Sequence, residues 1–69
     1  MERTLVNSSS VASIGYDSIS STLEIEYSNG SIYQYFDVPE SIHIELMGSA
    51  SMGKAVNTLI KQNYRFSKE

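Results

Sequence analysis

The 69 residues include no cysteine, one proline and one histidine. Without cysteine, no disulfide and no thiolate-metal centre can staple the chain, and the lone imidazole of His43 has no second histidine to share a metal. Bases are scarce as well: five lysines and arginines against eight acids give a net charge of −3. That balance repels a polyanion at long range, which argues against tight, non-specific binding to DNA or RNA. No apolar run is long enough to cross a bilayer, and the opening MERTLVNSSSVASIG carries an acid at Glu2 and no signal-peptide core. The expectation is a cytoplasmic chain with no membrane partner and no cofactor. It is one domain over residues 1–69, in which 1–10 form a loose arm or a short edge strand.

A chain of this length buries only about 60% of the surface that its unfolded form exposes. With no covalent staple, self-association is the remaining common route to more buried area, so a homo-oligomer is expected. The charges present are segregated. Residues 1–52 hold Arg3 against seven acids, whereas residues 53–69 hold Lys54, Lys61, Arg65 and Lys68 against Glu69 alone. The last quarter is therefore the one place suited to a local anion site.

The apolar pattern changes period along the chain. VASIGY, Val11 to Tyr16, alternates Ala12, Ile14 and Tyr16 against Val11, Ser13 and Gly15, with the glycine suited to close approach by another backbone. TLEIEY alternates strictly, with Leu23, Ile25 and Tyr27 inward and Glu24 and Glu26 outward. Asn29-Gly30 signals a hairpin, and SIYQYF is a third strand. Pro39 and Glu40 then suit a helix start, Ile42, Leu46 and Met47 continue it, and Gly48 stops it. Ser51 can cap a second helix in which Val56, Leu59, Ile60 and Tyr64 share one face. The predicted fold is α+β: a three-stranded antiparallel meander followed by two short helices on one sheet face, βββαα.

Hairpin register decides where Tyr33 and Tyr35 point. A two-residue Asn29-Gly30 turn sets Ile25 opposite Gln34 and sends both tyrosines outward. A three-residue Ser28-Asn29-Gly30 loop with a glycine bulge sets Ile25 opposite Tyr33 and Leu23 opposite Tyr35, burying both. The first buries more aliphatic carbon but also the Gln34 amide, so the residues alone leave both registers open.

GSASMGKA, Gly48 to Ala55, matches a phosphate-binding G-x-x-x-x-G-K-[ST] loop except at Ala55, which cannot ligate Mg²⁺. It also joins two helices rather than a buried strand and a helix. A weaker anion site at the start of the second helix, on Ser51, Gly53, Lys54, Asn57 and Lys61, stands beside the plainer reading of a capping serine and solvated lysines. Flanked by Ile42 and Ile44, His43 fits a half-buried position better than a catalytic one, and no nucleophile-histidine-carboxylate set is evident.

The ordered set IGYD, NGSIYQY, Val38-Pro39 and SMGKAVNTLIKQNY resembles the KTSC domain family, small domains that occur alone in bacteria and phages and at the C-terminus of some lysyl-tRNA synthetases. Its central YxY motif falls on Tyr33 and Tyr35, and the polar interleaved positions of the family suit the register that buries them. The sequence departs from the family at His43 and Val56, where an aromatic is common. The resemblance implies no enzymatic activity, and the synthetase association suggests RNA. The expected function is a non-enzymatic binding module for a small nucleotide or short single-stranded RNA, held by Ser51, Gly53, Lys54, Asn57, Lys61, Tyr64 and Arg65. The alternative is a protein-interaction module docking through exposed Ile32, Phe36 and Ile44.

Overall fold

In a computed structural model that describes residues 1–69, the period-two segments pair as strands and the later apolar segments coil into helices. The elements run β1 (Arg3–Leu5), β2 (Val11–Asp17), β3 (Thr22–Tyr27), β4 (Ile32–Tyr35), α1 (Glu40–Met47), α2 (Met52–Ala55) and β5 (Phe66–Lys68). A π-helical stretch, Val56–Lys61, continues α2 directly. All strands join one antiparallel sheet in the order β1-β2-β3-β4-β5. The α+β class is as predicted, but the sheet has five strands rather than three, and the helices lie between the fourth and fifth. Both additional strands are three-residue edges, too short to display an alternation.

The β3–β4 hairpin takes the three-residue loop. Gly30 has a left-handed φ of 92°, the Tyr27 N–H donates to the Ser31 carbonyl at 2.8 Å, and the Gly30 N–H donates to the Tyr27 carbonyl at 2.9 Å. Ile25 therefore faces Tyr33 and Leu23 faces Tyr35, and Glu24 meets Gln34 on the other face. Tyr35 is buried and Tyr33 half-buried.

On β2 the predicted alternation needs one correction. A bulge between Val11 and Ser13 shifts the phase, so that Val11 and Ile14 both reach the core although they are three residues apart. These two pack with Leu23, Ile25, Tyr35, Val38, Leu46, Ala55, Val56 and Ile60 in one apolar cluster between sheet and helices. Pro39 occupies the N-cap position of α1, so the helix begins at Glu40, one residue later than predicted. Ser51 stands at the N-cap of α2 but its side chain makes no capping bond; Ser49 Oγ instead accepts the Ser51 N–H and donates to the Ser51 carbonyl. Helix periodicity stops at Lys61, so Tyr64 lies in the turn beyond the helix instead of on it. There the Asn63 amide donates to the carbonyls of Thr58 and Leu59, satisfying acceptors that a helix end leaves free.

The outer sheet face is polar, and one row crosses four strands: Arg3 opposite Gly15, Gly15 opposite Glu24, Glu24 opposite Gln34. A Cβ on Gly15 would stand 2.6 Å from the Glu2 carbonyl oxygen and 2.9 Å from Arg3 Cγ, which is the close backbone approach expected of this glycine. Across that gap Arg3 Nη1 donates to Glu24 Oε2 at 2.7 Å, and Gln34 Nε2 donates to Oε1 at 3.0 Å. Glu24 is consequently only 7% exposed. The sequence places it outward, correctly for the face, but a free solvated carboxylate it is not.

Candidate functional site

The same register that buries Tyr35 gathers an aromatic group at one end of the helix-bearing face. Tyr33 and Tyr35 come from β4, and β5 pairing sets Phe66 beside Tyr35 and Lys68 beside Tyr33. The Tyr33 ring meets Tyr27 edge-on, with centroids 5.5 Å apart and planes at 85°, and lies 5.7 Å from Phe66. Tyr35 lies 5.9 Å from Phe66, and its hydroxyl is 2.9 Å from that of Tyr27. The helices do not cover this end: Phe66 is 57% exposed. Together Tyr27, Tyr33, Tyr35 and Phe66 line an open cleft of about 600 Å³.

Cations approach these rings. The π-helical stretch ends with Ile60 buried and Lys61 beside it, and Lys61 Nζ stands 5.1 Å from the Tyr27 ring centroid. Lys68 Nζ is 6.0 Å from the Tyr33 centroid. The other end of the cleft has a hydroxyl and amide rim of Ser10, Ser28, Asn29 and Ser31. The chain forms two ion pairs, Arg3 with Glu24 and Arg65 with Asp37. Lys54, Lys61 and Lys68 are thus the cations with no carboxylate partner, and two of the three stand over cleft tyrosines. Burial is the main reason that both the Tyr27 and Tyr35 hydroxyls titrate above the ordinary phenol range, so both are neutral at physiological pH.

The residues singled out in the sequence are not brought together in one place. Lys61, Tyr33 and Tyr35 are in the cleft. Ser51 and Lys54 line a separate shallow depression with Glu45, Ser49 and Thr58. Gly53 packs tightly on the segment before β2, where an added Cβ would stand 2.8 Å from Ser10 Oγ, and Asn57 is exposed. Tyr64 and Arg65 lie beside Phe36 in the turn before β5, where Arg65 Nη2 bonds Asp37 Oδ2 at 2.8 Å and the guanidinium stands 5.9 Å from the Phe36 ring. Sequence reasoning missed Phe66 and Lys68 as site residues, because FSK is too short to display an alternation, and took Tyr27 for core alone.

His43 is accounted for by packing. Its ring stacks on Tyr16 at 4.7 Å and 13°, while the Tyr16 hydroxyl donates to the Val38 carbonyl. Burial holds the imidazole below its ordinary pKa, against an opposing pull from Glu40. No three histidine, aspartate or glutamate side chains converge as a metal site.

A five-stranded antiparallel sheet with a helical layer on one face and an aromatic cleft at its uncovered end defines a small α+β domain. The chain belongs to the KTSC domain family, whose model matches residues 7–64. The crystal structure of a KTSC domain protein from Yersinia pestis is 37% identical with a TM-score of 0.96, covering 99% of this chain and 96% of that one. A protein of Stutzerimonas stutzeri is 39% identical over 67 residues, 96% of this chain and 94% of its own. A lysine–tRNA ligase of Nostoc punctiforme is 36% identical over 56 residues, which are 81% of this chain but 10% of the ligase.

Proposed function

We propose that this domain is a non-enzymatic binding module for an anionic ligand of the nucleotide class, a mononucleotide or a short single-stranded RNA, taken up in the aromatic cleft. The observation that carries this reading is the pairing of stacking rings with unpartnered cations. Tyr33 and Phe66 offer ring faces or edges to a base, and Lys61 and Lys68 offer charge to a phosphate. Arg3 and Arg65 are already spent on carboxylates. A related segment within enzymes named for tRNA is in keeping with a nucleotide-type ligand. The site shares Lys61 with the one expected from sequence but is centred on the sheet rather than on the start of α2. Self-association belongs to the proposal as well, with exposed Leu5, Ile19 and Ile44 as apolar surface for it.

The docking alternative is less well supported. Ile32 pairs with Glu26 on the outer sheet face, Phe36 sits under Arg65, and Ile44 is 65% exposed on α1, so the three do not form one patch.

Amide resonances followed during titration with AMP, UMP and hexauridylate test the proposal. Shifts are expected at Tyr27 to Ser31, Tyr33, Lys61 and Phe66 to Lys68. Lys61→Glu should abolish them and Lys54→Glu should leave them. Shifts confined to Ser51 through Lys54, or none with any of the three ligands, would overturn it.

A further inference from the structure

The Tyr27–Tyr35 hydroxyl pair has a hydrogen-bonding imbalance. Two hydroxyls bring two donatable hydrogens, and their mutual bond uses one. Neither hydroxyl has another partner in the protein, and Tyr35 is 3% exposed whereas Tyr27 is half-buried. Either oxygen can be the donor in that bond, and the arrangement in which the more buried Tyr35 donates to Tyr27 is the one that strands no hydrogen on the buried residue and frees the Tyr27 hydrogen. Both residues line the cleft.

We infer that Tyr27 is a specificity-determining residue of the cleft: its free O–H donates to an acceptor on the edge of the bound ring, a carbonyl oxygen or ring nitrogen. This rests on the nucleotide-class reading above and narrows it to rings that carry such an acceptor. Tyr33 and Phe66 stack with any aromatic ring, and Lys61 attracts any anion, so neither can tell a nucleobase from a plain arene. The Tyr27 hydroxyl can, because a ring without an acceptor leaves that hydrogen without a partner when it displaces water. Burial keeps the phenol protonated, so it serves as donor over the physiological pH range.

The test compares UMP, whose ring carries carbonyl oxygens, with phenyl phosphate, whose ring carries no acceptor, by calorimetric titration of the full chain. Wild type should prefer UMP. Tyr27→Phe should weaken UMP roughly tenfold, about the worth of one neutral hydrogen bond, and leave phenyl phosphate unchanged. Tyr35→Phe should weaken UMP less than Tyr27→Phe does. Equal weakening of both ligands by Tyr27→Phe, no weakening of UMP, or a larger loss from Tyr35→Phe overturns the assignment while leaving the cleft as a nucleotide site. The wild-type comparison stands even if a variant misfolds: equal affinity for the two ligands overturns the inference alone. Binding of neither ligand by wild type overturns the nucleotide-class reading and the inference with it.

Discussion

Replacing Glu24 by alanine tests the structural account of the outer sheet face most directly. Glu24 is on the central strand, accepts from Arg3 and Gln34, and is 7% exposed. Removing one member of a fully buried ion pair costs about 3–5 kcal/mol, chiefly because the other charge is stranded. Here the stranded side chain is Arg3, which is 27% exposed and can turn to water, so about 2 kcal/mol is the reasoned cost. A chain of this size has roughly 3–10 kcal/mol of total stability, and each 1 kcal/mol moves its midpoint by about 4–8 °C, so Tm should fall by about 10 °C. Thermal melts followed by circular dichroism measure it. A double-mutant cycle with Arg3→Ala apportions it: the two single losses should exceed the double loss by about 1 kcal/mol. Strictly additive losses, or a Tm change under about 3 °C, would refute the view that Arg3 reaching over Gly15 holds β1 to the sheet.

The same pair sets an acid limit. Burial pushes the Glu24 carboxyl up, but the hydrogen bonds it accepts from Gln34 and Arg3 and the charge of Arg3 outweigh it, so the carboxyl titrates below its ordinary value of 4.5. A depressed folded pKa contributes stability that is fully present above 4.5 and lost as pH falls through the lower, folded value. Acid unfolding of wild type should therefore be steeper below 4.5 than that of Glu24→Ala, and identical slopes would remove Glu24 from the acid limit.

Three further outcomes are expected. Gly15→Ala should cost about 1–3 kcal/mol in urea melts, because its Cβ meets the Glu2 carbonyl oxygen at 2.6 Å. Gly30→Ala, with open space around its Cβ but a φ of 92°, should cost about 1 kcal/mol through backbone strain alone. Native mass spectrometry of the purified protein should show an oligomer, and a chain that stays monomeric at all concentrations contradicts the self-association proposal.

The central sheet was legible because β3 is a strict alternation and the glycine-bearing hairpin offered only two registers. Choosing between them needed more than residue chemistry: Gln34 is costly inside and Tyr33 is large outside, and the resemblance broke the tie. Of the two edges, β1 was legible only as one of two readings of residues 1–10, a loose arm or a short edge strand, and β5 was not legible. RTL and FSK are three residues each, and what makes them strands is pairing with β2 and β4, a non-local fact. The β2 bulge hid for a related reason, since Val11 and Ile14 look out of phase until the partner strand shows the extra residue. The candidate site was half legible: the basic tail was found, but its lysines were assigned to a helix N-terminus because Phe66 and Lys68 belong to the unseen fifth strand.

That fifth strand also bears on the tension between an acidic chain and the anionic ligand proposed for it. A net charge of −3 disfavours anions at long range, yet attraction at a site depends on which charges lie within about a Debye length, ~8–10 Å, and on whether they are already neutralised. On the outer face Glu24 neutralises Arg3. On the inner face no carboxylate bonds Lys61 or Lys68, and burial keeps the Tyr27 phenol under Lys61 protonated near neutral pH, so it does not cancel that charge. Local attraction at the cleft should then be short-ranged and salt-sensitive: raising ionic strength ought to weaken UMP while leaving its preference over phenyl phosphate intact, because the charge term is common to both ligands and the Tyr27 hydrogen bond is not. Loss of that preference with salt would mean that charge, rather than the hydroxyl, distinguishes the two.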